Sequence, residues 1–173
     1  MTLRLTAAVL AAVALAAPAR AQQPPFHDAL ADHLAGDWVL TGTIAGRQTT
    51  HDVRAEWVLN HQYLRLHETS RETRSDGLPA YDAFVFIGWN QPLKRYGIAW
   101  LDVYGGLTGE SVGSAAPDGN RLAFLFKAAD GNFHTTYVYD ERTDTWQMNM
   151  ENETNGVLKP FARTTLARAQ PRP

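Results

Sequence analysis

Apolar and charged side chains alternate along residues 52–59, which read DVRAEWVL. Successive side chains of a β-strand point to opposite faces of its sheet. This order places Val53, Ala55, Trp57 and Leu59 on one face and the charged residues on the other. The stretch therefore predicts a strand with one apolar face and one solvated face, as in an antiparallel sheet.

The same alternation recurs at residues 121–127 (RLAFLFK) and 146–150 (WQMNM). Short turn signals separate such runs at intervals close to the length of a strand plus a turn. They lie at residues 45–47, 60–61, 75–79, 90–92, 105–106, 117–120, 130–132, 142–144 and 155–156. No helical pattern lies between them, which argues against a parallel α/β sheet. We predict an all-β fold, an antiparallel up-and-down barrel of about ten strands.

Two segments depart from this pattern. Residues 81–89 carry apolar side chains on both faces, which predicts a strand covered on both sides, either by an N-terminal helix or by the partner subunit of a homodimer. Phe26 to Ala35 shows apolar residues at helical spacing and is followed by Gly36, a residue that commonly ends helices. We predict a short helix there that plugs or covers the barrel.

Residues 1–21 have the pattern of a secretory signal peptide. A basic start at Arg4 leads into an apolar run from Leu5 to Ala17, and Ala19-Arg20-Ala21 supplies the cleavage pattern. The run is shorter than the roughly 20 residues of a membrane-spanning helix. We expect cleavage before Gln22, a single mature domain at residues 22–173, and a periplasmic or secreted location.

Composition excludes several classes of function. The chain has no cysteine, so disulfides, thiolate metal sites and a cysteine nucleophile are impossible. Removal of Arg4 and Arg20 leaves 14 of the 16 basic residues against 18 acidic ones, a net charge of −4. A mildly acidic surface without a basic run argues against nucleic acid as a partner and against a membrane-binding surface.

Several short motifs together resemble a known family. Gly36-Asp37-Trp38 looks like the Gly-x-Trp opening of the first strand in calycins. Gly88-Trp89-Asn90, then Tyr96, Trp100 and Asp102, and finally Trp146 with Asn155-Gly156 resemble a bacterial family of exported lipocalin-like proteins. This family is a domain-of-unknown-function group, number fifteen-seventy-nine. The resemblance spans nearly the whole mature chain and implies a lipocalin-like (calycin) barrel, but it implies no particular chemistry.

Two motifs bear on catalysis and cofactors. Residues 109–113 (GESVG) match the G-x-S-x-G pattern of hydrolases, in which a strand turns sharply into a helix. No helix follows Ser111 here, so we interpret the motif as a glycine-rich strand or bulge. The chain has six histidines without a metal-ligand spacing. His67 and His134 fall in predicted strands, so a haem held by one of them inside the barrel is an alternative.

The candidate ligand-binding residues follow from strand faces. Trp57, Tyr137 and Met148 lie on apolar faces that we expect to point into the barrel, and Trp100 shares its face with Asp102. Arg65 shares a face with His67, and a lumen position of that face would place charge inside the barrel. The predicted binding set is therefore Trp57, Arg65, His67, Trp100, Asp102, Tyr137 and Met148, with no metal ligand and no catalytic residue.

These features favour non-catalytic binding of a small apolar or amphipathic molecule in the barrel lumen. Three alternatives remain open. The barrel is an isomerase or lyase that uses Asp102 or His67 as acid or base, it is an envelope protein-interaction module, or it binds haem. A cavity with isolated polar groups favours the binding protein, a strongly shifted pKa in that cavity favours the enzyme, and a filled lumen with an apolar outer patch favours the interaction module.

Overall fold

The computed structural model describes residues 23–106 and 108–170. One short helix precedes ten strands. They are α1 (Ala29–Leu34), β1 (Gly36–Ile44), β2 (Arg47–Val58), β3 (Tyr63–Ser70), β4 (Asp82–Asn90), β5 (Arg95–Asp102), β6 (Val112–Ala115), β7 (Arg121–Lys127), β8 (Asn132–Asp140), β9 (Thr145–Thr154) and β10 (Val157–Arg168).

The ten strands form one closed antiparallel barrel in which each strand pairs with its neighbours in the chain. Closure comes from the pairing of β1 with β10, from Trp38 opposite Arg168 to Ile44 opposite Ala162. The prediction of an all-β, up-and-down, calycin-like barrel of about ten strands is confirmed.

Side-chain and backbone hydrogen bonds determine where the helix α1 begins. Asp28 is its N-cap, because its side chain accepts a hydrogen bond from Ala31 N at 2.8 Å. Phe26 lies outside the helix and donates its backbone N–H to His61 O instead. The helix is therefore shorter than the predicted span from Phe26 to Ala35. It closes one end of the barrel, where Trp38 Nε1 donates to Leu34 O at 2.8 Å.

Tight turns and one bulge set the register of the hairpins. Asn155 and Gly156 join β9 to β10 with φ values of 53° and 74°, the conformation of a two-residue type I′ hairpin. In β10 the register shifts between Pro160 and Ala162, so Phe161 lies in a β-bulge. Proline has no N–H to donate, and a bulge is one of the few places where a sheet accepts it.

The inner faces of the strands form two different halves. Near α1 the lumen is packed solid with buried side chains. The residues that fill it include Leu34, Trp38, Leu40, Val53, Leu64, Val85, Ile98, Leu122, Phe124, Tyr137, Trp146, Met148 and Leu166. The half at the other end of the barrel is open and holds the candidate site.

Two expectations about strand faces need correction. We predicted that residues 81–89 would be covered on both sides by an N-terminal helix or by a partner subunit. The helix α1 lies at the barrel end and leaves Phe84 39% exposed, so it is not the cover, and cover by a partner subunit stays a prediction. On the outer face of the barrel the ring of His67 stacks on the ring of Phe84, with the ring centroids 4.4 Å apart. Leu59 lies in the turn after β2 with a φ of 51°, so it is exposed rather than part of the apolar face.

Some expectations concern residues that the structure does not describe. The predicted signal peptide at residues 1–21 and the cleavage site before Gln22 lie outside residues 23–106 and 108–170. Within these two ranges, no helix is long and apolar enough to cross a membrane.

Candidate ligand-binding cavity

A cavity of about 740 Å³ opens at the end of the barrel opposite α1. Small-molecule sites usually measure roughly 300–1,000 Å³, so its volume suits a ligand of ordinary metabolite size. Its floor is the packed half of the lumen, and its sides are inward-facing residues at the strand ends farthest from α1. Two walls of different chemistry face each other across it.

One wall is apolar and comes from β1 and β7 to β10. Phe126 and Phe133 meet edge to face with ring centroids 6.4 Å apart, and Phe133 meets Phe161 in the same way at 5.5 Å. Met150 and Ile44 complete this wall. The bulge in β10 matters here, because Phe161 lines the cavity although the next residue in the chain, Ala162, is buried in the core.

The other wall is polar and is centred on a buried acid–histidine pair. His51 on β2 and Glu68 on β3 are only 3% and 4% exposed, and His51 Nδ1 lies 2.5 Å from Glu68 Oε1. Each residue lies in phase with apolar neighbours on its strand. Burial of a charge is costly unless it is paired, so this contact is the reason that the barrel tolerates both groups.

Both ring nitrogens of His51 contact other side chains of the protein. Nε2 lies 2.8 Å from Thr49 Oγ1, and the Thr49 hydroxyl donates to Glu72 Oε2 at 2.9 Å. Nδ1 lies 2.5 Å from Glu68 Oε1. Both nitrogens of the imidazole are therefore engaged within the protein.

Glu72 is held ionised at the rim beside this pair. Partial burial acts to raise its pKa, but hydrogen bonds from its own backbone, from the Thr49 hydroxyl and from Thr50 N outweigh that effect. The pKa of Glu72 therefore lies below its usual range, and the carboxylate is negative at neutral pH.

Tyr81, Trp100 and Asp102 form a second polar cluster on the same wall. Trp100 Nε1 donates to the Tyr81 hydroxyl at 2.8 Å, and that hydroxyl lies 3.5 Å from Asp102 Oδ2. Burial and the nearby Glu68 carboxylate raise the pKa of Tyr81 far above its usual range, so the phenol stays protonated. Its ring also stacks on His51 at 5.6 Å, which joins the two polar clusters.

A buried hydroxyl in the cavity wall has no partner. Thr135 is 0% exposed, lines the cavity from β8, and its Oγ1 makes no hydrogen bond to any residue that the structure describes. Beside it on the same face lies Tyr137, whose pKa is raised by complete burial and by the Glu68 carboxylate. A buried hydroxyl without a partner costs free energy, and Trp146 Nε1 in the packed floor is unpartnered in the same way.

Only two of the seven predicted binding residues line the cavity, namely Trp100 and Asp102. Tyr137 and Met148 point inward as predicted but lie in the packed floor, and each is 1% exposed. Trp57 also faces inward but lies at the closed end, where its Nε1 donates to Asp32 Oδ1 at 2.9 Å. The alternation gave the correct face for these residues but not their depth along the barrel.

Arg65 and His67 require a correction. We considered a lumen position for their face, but Leu64 and Leu66 occupy the inner side of β3 and are buried. Arg65 and His67 therefore point outward, where Arg65 bonds Glu56 and His67 Nε2 lies 2.8 Å from Asp82 Oδ1. Neither residue reaches the cavity.

Sequence analysis missed His51, Glu68, Tyr81 and Thr135 as cavity residues. A signal existed for two of them. His51 falls in phase with Val53, and Glu68 falls in phase with Leu66, so each is a titratable group on an apolar face. Such a residue needs a buried partner, and each supplies the other.

The positions of His134, His51 and Ser111 do not support the haem and hydrolase alternatives. His134 lies on the outer face and contacts Glu153 at 2.8 Å, and His51 has both ring nitrogens engaged. Among the described residues, no group of three or more His, Asp or Glu is placed to hold a metal ion. Ser111 ends a one-turn 3-10 helix and is followed by a strand, and its hydroxyl donates to Gly106 O at 2.8 Å.

Comparison with known proteins adds no assignment, because no family model and no curated protein matches this chain.

Proposed function

We propose that this protein is an exported, non-catalytic binding protein for a small, partly apolar molecule held in the open half of the barrel. The observation that carries the proposal is the cavity of about 740 Å³ with an aromatic wall facing a polar wall. A ligand with an apolar body and a polar end matches both walls at once.

The isomerase or lyase alternative has less support. A general base needs a free lone pair within reach of the substrate, but both nitrogens of His51 are hydrogen-bonded and His67 points outward. The raised pKa of Tyr81 keeps its phenol protonated, so it is not a base at neutral pH, and the carboxylates of Glu72 and Asp102 already accept hydrogen bonds from protein groups. We therefore favour binding over catalysis.

Tryptophan emission tests the proposal. Trp100 lines the cavity, whereas Trp57 lies at the closed end and Trp146 is completely buried in the floor. We expect 1-octanol to change the emission of the wild-type protein saturably. The response should persist in Trp57→Phe and disappear in Trp100→Phe. Each variant must first give the wild-type circular dichroism spectrum.

A flat titration would contradict the proposal if calorimetry of the same samples also detects no saturable heat. An equal response in Trp100→Phe would place the ligand elsewhere in the molecule.

The location and family are part of the same proposal. We propose that residues 1–21 are removed on export to the periplasm, and that the chain is a member of the exported lipocalin-like family that it resembles at Gly36-Asp37-Trp38. Intact-mass measurement of protein recovered from the periplasm should give a chain that begins at Gln22. A chain that still carries residues 1–21 would contradict the proposed location.

A further inference from the structure

We propose that the ligand is an amphipathic amine, whose protonated nitrogen binds at the polar wall beside Asp102 and whose apolar body lies against the aromatic wall. This inference rests on the proposed binding function and names the class of ligand. It follows from the charge of the cavity and from the environment of Asp102.

The described lining of the cavity has an excess of negative charge. Glu68 Oε1 lies 2.5 Å from His51 Nδ1, so this carboxyl already has a buried partner. The remaining carboxylates are those of Glu72, Asp102 and Glu110, and the cation opposite them is Arg47. Arg47 is exposed at the rim, at the start of β2. A cationic ligand would neutralise part of this excess, whereas a carboxylate ligand would add to it.

Asp102 is the carboxylate best placed to accept a ligand proton. Its Oδ1 accepts from Tyr104 N at 2.9 Å, which fixes the side chain. Its Oδ2 lies 3.5 Å from the Tyr81 hydroxyl, whereas O–H···O bonds are normally about 2.5–3.0 Å. Oδ2 therefore retains capacity for a stronger donor, and an ammonium group offers three N–H donors.

The aromatic side chains beside Asp102 suit the same group. Trp100 and Tyr81 lie next to this carboxylate, and Tyr104 follows it at the rim. Indole and phenol faces attract cations, and the attraction is stronger in a partly desolvated site. A carboxylate ligand at the same position would be repelled by the charge of Asp102.

Three probes of equal chain length test the inference by calorimetry at neutral pH on the mature protein, namely octylamine, 1-octanol and octanoate. We expect octylamine to bind about tenfold more tightly than octanol, because one charge-assisted hydrogen bond is worth roughly that factor. Octanoate should bind about tenfold more weakly than octanol for the opposite reason. The ratio of octylamine to octanol affinity is the quantity to follow.

The variant Asp102→Asn should bring this ratio close to one, since asparagine keeps the Tyr104 contact but removes the charge. Glu141→Gln is the matched control. Glu141 lies in the turn between β8 and β9 at the closed end, so this variant changes net charge equally without touching the cavity. If Asp102→Asn does not fold, the exposed rim variant Glu110→Gln gives the same test with a smaller change in the ratio.

The outcomes are distinguishable. If none of the three probes binds, the proposed binding function itself is wrong. If octanol binds and octylamine binds no better, the function stands and the amine assignment is overturned. Preference for octanoate would also overturn it and would indicate Arg47 as the head-group partner. Equal losses in Asp102→Asn and Glu141→Gln would show that net charge, and not a local site, attracts the amine.

Discussion

The pair of His51 and Glu68 is the largest departure from an apolar barrel interior. Desolvation opposes each charge, and the contact of 2.5 Å between Nδ1 and Oε1 offsets that cost. Loss of one partner leaves an uncompensated buried group, whereas loss of both leaves only a cavity or an apolar contact. The two residues should therefore behave as one unit in stability.

A double-mutant cycle measures this coupling. We expect Glu68→Leu and His51→Leu each to lower the free energy of unfolding by about 3–5 kcal/mol, the usual effect of removing one partner of a buried pair. The double variant should lose much less than the sum of the two. Urea denaturation of the four proteins gives the coupling energy. Simple additivity would show that the contact contributes nothing.

Arg168 gives a second residue-scale prediction, at the closed end. Its guanidinium donates to Asp144, to Ala35 O and to His33 O, and it lies 3.7 Å from the centre of the Trp38 ring. These contacts tie the last strand to the final carbonyls of α1. The hydrogen bond from Arg168 is the main cause that lowers the pKa of Asp144 from its ordinary value of 3.8.

The lowered pKa fixes the sign of the pH dependence. A carboxylate with a depressed folded-state pKa stabilises the fold above 3.8, and that contribution disappears as pH falls through the folded-state value. Asp144→Asn should therefore unfold more easily at pH 7, by about 1 kcal/mol or less because the pair is partly exposed. Thermal melts should show the difference closing in strong acid. A difference that persists there would contradict the ionic origin.

At the scale of single elements, Gly42 allows β1 to approach β10 closely. Gly42 has a φ of 147°, and a Cβ at this position would lie 2.2 Å from Arg163 O on β10. Gly97 in β5 has open space around the same position. We expect Gly42→Ala to destabilise the barrel by roughly 3 kcal/mol, through backbone strain and a clash with a backbone atom that cannot move away.

The control Gly97→Ala should be neutral or stabilising by about 0.5 kcal/mol, because alanine restricts the unfolded chain. Chemical denaturation of both variants makes the comparison. Equal stability of the two variants would show that the seam between β1 and β10 relaxes around an added methyl group.

The strands also show why the fold was easier to predict than the site. Alternation at residues 52–58 and 121–127 is clear because the inner face there contacts the packed core or, at Phe126, forms part of the apolar wall of the cavity. On β3 the inner face begins with Leu64 and Leu66 but ends with Glu68 and Ser70, which line the cavity. The apolar pattern therefore fades where the site begins, so periodicity alone did not identify the inward face.

Depth along the barrel was equally hidden from the sequence. Trp57 and Trp100 both lie on inward faces, yet one is at the closed end and the other is in the cavity. The difference arises because α1 occupies one end of the barrel, and strand periodicity contains no information about which end that is. Alternation along the sequence therefore predicts which face of the sheet a residue lies on, but not how far along the barrel axis it lies.

At the scale of the whole molecule, removal of β10 should have a larger effect than any side-chain change. A chain ended after Thr154 lacks β10, so β1 and β9 each lose a hydrogen-bonded neighbour. Exposed strand edges pair with other chains, so we expect this variant to form aggregates in size-exclusion chromatography with light scattering. A chain ended after Gln170 keeps all ten strands and should remain native. A monomeric, folded product from the shorter chain would contradict this prediction.

The pairing of β1 with β10 also sets when the protein can fold. Its contacts join residue 38 to residue 168 and residue 44 to residue 162, so they span almost the whole described chain. Contacts of such long sequence separation form slowly, because the entropy of closing a large loop opposes them until late. A growing chain on the ribosome cannot complete the barrel before its last strand has been synthesised. The native state therefore becomes accessible only once β10 is available to pair with β1.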